Sequence, residues 1–353
     1  MNAKRFNLIT LLIPGILLVI TAAFMIIIDP YFHYHKPLLK LEYPMNNEYY
    51  MNAGIAKNFD YEIMIAGDSE TQNIKASLVE NLWGMKTVKL PNPGAPFLET
   101  DGVVRFGIRN NKKLKIVIRP LDDYLFTADP HMSRYAKEDM YLYDANPFND
   151  VRYVFNKETV IDAVTVLTYT RAGKKTINFD EYSRTEDVEE YGDFDTLAHD
   201  LISQRSFRLA GDTETIYANT LENIKRNIVR TAEENPDIMF YYFILPYSAC
   251  FWKEIGDNGL IPVAVNCERI ALNEMLKYDN IKVFSFMDDY DITTDWRFYC
   301  DEIHFSGAVD DYMMEAMYKG EHLITKENVD EYLEGLESFY MTYDYNQMFT
   351  VFE

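Results

Sequence analysis

The sequence predicts an α/β fold, a three-layer α/β/α sandwich around a mainly parallel five-stranded sheet, preceded by one transmembrane helix. Three observations carry that expectation. Short apolar runs recur along the chain, separated by stretches of helical spacing. Five such runs with helices between them imply a mainly parallel sheet covered on both faces. One uncharged N-terminal segment is about as long as a helix needs to be to cross a bilayer.

The N-terminal segment runs from Phe6 to Ile28, follows Lys4 and Arg5, and ends at Asp29-Pro30. Pro14 and Gly15 are tolerated in spanning helices. Positive charge on the short side predicts a cytoplasmic N-terminus and an external remainder. A cleaved signal peptide is the competing reading, with Thr21-Ala22-Ala23 as its small-residue site. The apolar run continues past that site through Phe24-Met25-Ile26-Ile27-Ile28, which favours an uncleaved anchor over residues 1–29. A buried core helix fits less well, because the run is apolar on every face. Residues 30–59 are rich in Tyr, His, Pro and Asn and read as a juxtamembrane stalk. Two histidines alone, His33 and His35, make a poor metal site and are expected as core or interface residues.

From residue 60 a βα alternation begins, and the domain is expected over 60–348. Strands are predicted at Tyr61 to Ala66, Thr87 to Leu90, Leu114 to Arg119, Ile238 to Leu245 and Ile281 to Phe286. Helices are predicted at Ile74 to Trp83, Leu98 to Arg109, Thr213 to Glu234, Pro262 to Leu276, Gly307 to His322 and Glu327 to Met341. Between about 124 and 209 the period is lost. That stretch, with a short helix at Lys157 to Tyr169, reads as an insertion capping the sheet.

The formal net charge is −22, which excludes a nucleic-acid-binding footprint and argues against broad docking on anionic lipid. Three cysteines, Cys250, Cys267 and Cys300, lack the CxxC spacing of a zinc or redox motif. Three buried thiols are expected ahead of a Cys250–Cys267 disulfide. Asp288, Asp289 and Asp291 lack the glycine and distal glutamate of a calcium loop. No metal or cofactor is implied.

Two short motifs carry chemistry. Gly67-Asp68-Ser69 follows the first strand, where a serine at a helix start can present its own N–H to an oxyanion. Gly67 permits the sharp turn. Asp301-Glu302-Ile303-His304 follows the last strand. Serine needs an adjacent base, histidine titrates near neutrality, and a carboxylate three residues earlier can fix its tautomer.

In this combination and order the chain resembles the SGNH (GDSL-like) hydrolase superfamily, over roughly Tyr61 to His322. The resemblance implies an SGNH/flavodoxin-like sheet, with Ser69 as nucleophile and Asp301 and His304 as its partners. Glu70 stands where the family has leucine, which is similar to the membrane-anchored branch around the D-alanyl transfer protein DltD and the exopolysaccharide O-acetylation proteins. Gly94 matches the second-block oxyanion glycine. The third-block asparagine is absent; Pro120-Leu121-Asp122-Asp123-Tyr124 follows the strand instead. The oxyanion hole would then rest on the N–H groups of Ser69 and Gly94. The implied function is extracytoplasmic acyl-ester hydrolysis or O-acyl transfer on a cell-envelope glycan, with a membrane-bound O-acyltransferase as a possible partner. The alternative is a non-catalytic scaffold or partner in an envelope polysaccharide or teichoic acid modification complex. A weaker third reading is a glycan-binding module using the 27 tyrosines.

Overall fold

The computed structural model describes residues 3–135, 141–185, 191–192 and 212–347. The chain divides into two compact units, residues 1–59 with 135–178, and residues 60–134 with 179–353. Residues 30–59, expected as a stalk, therefore share a unit with the middle of the expected insertion.

The first unit contains α1 (Ala3–Ile28), α2 (Glu48–Asn58), α6 (Val151–Val154) and α7 (Lys157–Arg171). Its one long apolar helix, α1, has a 20-residue stretch, Ile9–Ile28, apolar enough to cross a membrane. The helix ends at Asp29, whose φ of +44° breaks the helical path. The Asp29 carboxylate accepts the N–H groups of His33, Tyr34 and His35, and the Tyr153 hydroxyl donates to it. His33 is buried, with Nε2 3.1 Å from Asp150, and the His35 ring meets backbone carbonyls. Among the described residues, neither belongs to a group of three or more metal-ligating side chains.

The second unit is built on a sheet of six strands in the order β2-β1-β3-β4-β5-β6. These are β1 (Ile63–Gly67), β2 (Thr87–Pro91), β3 (Ile116–Leu121), β4 (Met239–Ile244), β5 (Ile281–Ser285) and β6 (Leu323–Ile324). The first five are parallel, and β6 runs antiparallel to β5. The five expected strands are present, and the expected count of five is corrected to six. A two-residue strand is too short to carry a period. The helix α11 (Gly307–Lys319) also stops before His322, because Gly320 (φ +80°) turns the chain back towards β5.

Between the strands run α3 (Ala76–Trp83), α4 (Phe97–Asn110), the short α5 (Asp123–Phe126) and α8 (Thr213–Ile224), which continues through a π turn to Glu233. Then come α9 (Ala249–Asp257), α10 (Ile261–Met275) and, after α11, the terminal α12 (Val329–Thr342). β1, β2 and β3 are buried at every residue, the pattern of parallel strands.

The strand order reverses between β1 and β3, the switch point at which open parallel sheets bind ligands. The β1–β3 ladder stops at Ile65↔Ile118, whereas β1 stays paired with β2 to Gly67↔Pro91. The carboxyl ends of β1 and β3 thus part just below Ser69. β3 also runs two residues past its expected end, through Pro120. The missing N–H of proline falls beyond the last β1 pair, so no bond of that ladder is lost.

Candidate active site

Three loops of the second unit build the site. The first follows β1. A Cβ at Gly67 would lie 2.3 Å from Thr71 Oγ1 and 2.6 Å from Pro120 Cγ, so only glycine fits where the chain leaves the sheet. Ser69–Thr71 then forms one 3-10 turn. The buried Lys89 of β2 holds this loop from below, donating to Gln72 O at 2.5 Å and Asp180 O at 3.1 Å. Burial pushes its ammonium group down to about 7.

The second loop follows β5 and carries Asp301 and His304. It is closed by a bridge between Tyr299 and Phe305 and by Cys300 N–H to His304 O at 3.1 Å. Ser248, after β4, donates its N–H and hydroxyl to Glu302 O. At the loop tip, Asp301 Oδ1 accepts the N–H groups of Ile303 (2.9 Å) and His304 (2.7 Å). The other carboxylate oxygen lies 2.5 Å from His304 Nδ1.

The two loops meet at His304, whose Nε2 is 3.1 Å from Ser69 Oγ. Residues 235 positions apart are thus linked in one chain of hydrogen bonds, Ser69–His304–Asp301. Burial pushes the Asp301 carboxyl up, but the His304 ring and the two backbone N–H groups outweigh it and hold Asp301 below its ordinary value. With Asp301 ionised, the shared proton sits on Nδ1. Nε2 is then free to accept from the serine hydroxyl.

The third loop follows β2. Asn92 N–H donates to Gly67 O at 2.8 Å, which sets this loop beside the serine loop. Gly94 has a φ of +68°, a conformation that favours glycine. Arg134 braces the loop, donating to Pro93 O and Asn92 Oδ1 and pairing with Glu99 at 2.8 Å. Among the described residues, no acceptor takes the N–H of Ser69 or of Gly94.

A carboxyl cluster was not legible in the sequence. Glu70 Oε1 stands 3.3 Å from His304 Nε2, the nitrogen that also faces Ser69. Burial, followed by the charges of Asp122, Asp68, Asp310 and Asp301, holds Glu70 well above its ordinary value. Asp68 is pushed up by burial and by the neighbouring Asp122 carboxylate. Asp122 also accepts the Tyr247 hydroxyl. The approach of Glu70 to the imidazole follows only from the fold.

Arg119 is buried and donates to Asn227 O, Phe97 O and Thr100, so it braces α4 and α8 rather than lining the site. His322 lies among Asp288, Asp289 and the Tyr312 hydroxyl. His199 lies outside the described residues. No disulfide joins the three cysteines; Cys250 and Cys267 are buried, whereas Cys300, expected to be buried, is half-buried on the His304 loop.

No protein-family model matches the chain, and no curated protein resembles it in sequence. Inference about its chemistry starts from the geometry of these loops.

Proposed function

We propose that the chain is a membrane-anchored, extracytoplasmic serine esterase or O-acyltransferase of the SGNH type, with a three-layer α/β/α body, acting on a cell-envelope glycan. The observation that carries this reading is the continuous Ser69–His304–Asp301 hydrogen-bond chain at the β1/β3 switch point. The apolar helix α1 supports the anchor.

In the mechanism, Ser69 Oγ attacks the acyl carbonyl carbon as its proton passes to His304 Nε2. Asp301 holds the opposite ring N–H and stabilises the imidazolium. The N–H groups of Ser69 and Gly94 receive the oxyanion. His304 then returns the proton to the departing oxygen, leaving an acyl group on Ser69. Water or a sugar hydroxyl attacks that ester, gives its proton to His304, and restores the serine. The charge near the site is kept low because Glu70 and Asp68 are held towards their neutral acid forms.

The reading is tested by the acyl content of the envelope glycan in cells carrying Ser69→Ala, together with hydrolysis of a nitrophenyl acyl ester by the purified chain. Both are expected to change to the level of cells and preparations lacking the protein. Unchanged acyl content and unchanged hydrolysis would refute it.

A further inference from the structure

The first unit carries an outward surface unlike that of an ordinary globular protein. Helix α7 buries Thr159, Ala163 and Val166 on one face. At 100° per residue, Ile161 and Val164 point the opposite way, with Leu167 at the flank. These three are 52%, 48% and 38% exposed. An exposed helix face is normally polar. Here it carries Ile161 and Val164 beside Thr168, with Lys157 and Arg171 at the two ends of the helix. Leu38, Leu39, Phe148, Val151 and Phe155 extend the exposed apolar character over the same unit, Phe148 being 87% exposed.

The position of this surface narrows what covers it. Helices α6 and α7 both contact α1. On α1 the buried side chains are Met25 and Ile28, in its last two turns, whereas Leu11 to Ile20 are exposed. The contact is therefore made within the segment that is apolar enough to cross a membrane. A 20-residue helix spans about 30 Å, close to the thickness of the hydrocarbon core. Helices packed on its last turns reach the depth of the headgroup and acyl boundary.

Charge agrees with this placement. Residues 1–59 and 135–178 hold 11 Lys and Arg against 9 Asp and Glu, and without Lys4 and Arg5 at the far end of α1 the two counts are equal. The remaining residues hold 23 against 47, a net charge of −24. The acidity that argues against lipid docking thus belongs to the second unit, and the first is not repelled by an anionic leaflet. A cavity of about 630 Å³ in the first unit is framed by Tyr49, Tyr50, Tyr135 and Tyr141, the ring type that gathers at membrane interfaces.

From these observations we infer that the apolar face of α7, with Leu38, Leu39 and the exposed residues around α6, docks into the lipid bilayer beside α1. The first unit is then held to the membrane by a surface as well as by a span. This inference rests on α1 being the anchor.

The test is photo-crosslinking of the full chain in nanodiscs of phosphatidylcholine and phosphatidylglycerol with a diazirine on the acyl chain, mapped by mass spectrometry. Docking predicts lipid adducts on α1 and on the peptide containing Ile161, Val164 and Leu167. In an Ile161→Glu, Val164→Glu, Leu167→Glu variant the α7 adducts are expected to vanish, while those on α1 and the circular dichroism remain. Adducts on α1 with none on α7 in the wild type would overturn the docking and leave the anchor standing. Absence of adducts on α1 itself would overturn both.

Discussion

Two carboxyl groups approach the His304 imidazole from its two nitrogens, and their surroundings push them in opposite directions. Asp301 faces Nδ1 and takes two backbone N–H bonds besides the ring, and it is held below the ordinary aspartate value. Glu70 faces Nε2 without a hydrogen bond to its Oε1, among Asp68, Asp122, Asp301 and Asp310, and is held well above the ordinary glutamate value. Burial raises both; what differs is whether donors answer it. The comparison shows that one loop answers a buried carboxyl with hydrogen-bond donors, while the other leaves its carboxyl among like charges.

Removing the anion should have the larger effect. Asp301→Asn is expected to lower the rate of serine acylation by roughly 10⁴-fold, because an amide no longer fixes the productive tautomer. Stopped acylation kinetics with a nitrophenyl ester would measure it. A loss of only a few-fold would mean that Asp301 merely ties the loop. A substitution in the third loop comes next. Gly94→Ala places a Cβ on a residue at φ +68° and 3.3 Å from an Arg134 nitrogen. Displacing one oxyanion donor costs about 10²- to 10³-fold in kcat. A drop confined to KM would argue against an oxyanion role.

The Glu70 side of the comparison is sharpened by pH. Glutamine mimics the neutral acid, so Glu70→Gln should leave acylation at neutral pH within about threefold of wild type, a change of less than 1 kcal/mol. A large acid-limb shift would show that Glu70 works as an anion. Stability gives the corresponding sign. A carboxyl held above its ordinary value of 4.5 costs stability as pH rises from that value towards the folded one. Glu70→Gln should therefore melt higher than wild type at about pH 8, with the advantage fading as pH falls to the ordinary carboxyl range. The smallest expected effect is the converse one. Asp301, held below its ordinary value of 3.8, stabilises the fold above that pH, and the contribution is lost as pH falls through the folded value. Melting curves of wild type and Asp301→Asn should converge only in strong acid.

What was legible in the sequence follows the same division between local and distant interactions. The five parallel strands announced themselves as short, largely apolar runs separated by helical spacing, and β1, β2 and β3 are buried at every residue. β6 was not legible, since two residues carry no period and its pairing is set by the turn at Gly320. The end of β3 was read short because Pro120 normally ends a strand, and only the parting of β1 and β3 makes it harmless. Asp301 and His304 could be paired on paper because one loop carries both. Their approach to Ser69 had to await the fold. The place of Glu70 against Nε2, and the closeness of Asp68 and Asp122, depend on strands brought together from distant stretches. The grouping of 135–178 with 1–59 was equally hidden, because aromatic stretches without a period give no sign of their partners.

The account stands most directly on whether Ser69 is an activated nucleophile. The decisive measurement is reaction of the full chain in detergent with a fluorophosphonate at neutral pH, followed by mass-spectrometric mapping of the modified peptide. The account predicts one adduct, on Ser69, absent from Ser69→Ala and from His304→Ala while both variants stay folded. A folded wild type that takes no label, or labelling of Ser69 that persists in His304→Ala, would contradict it.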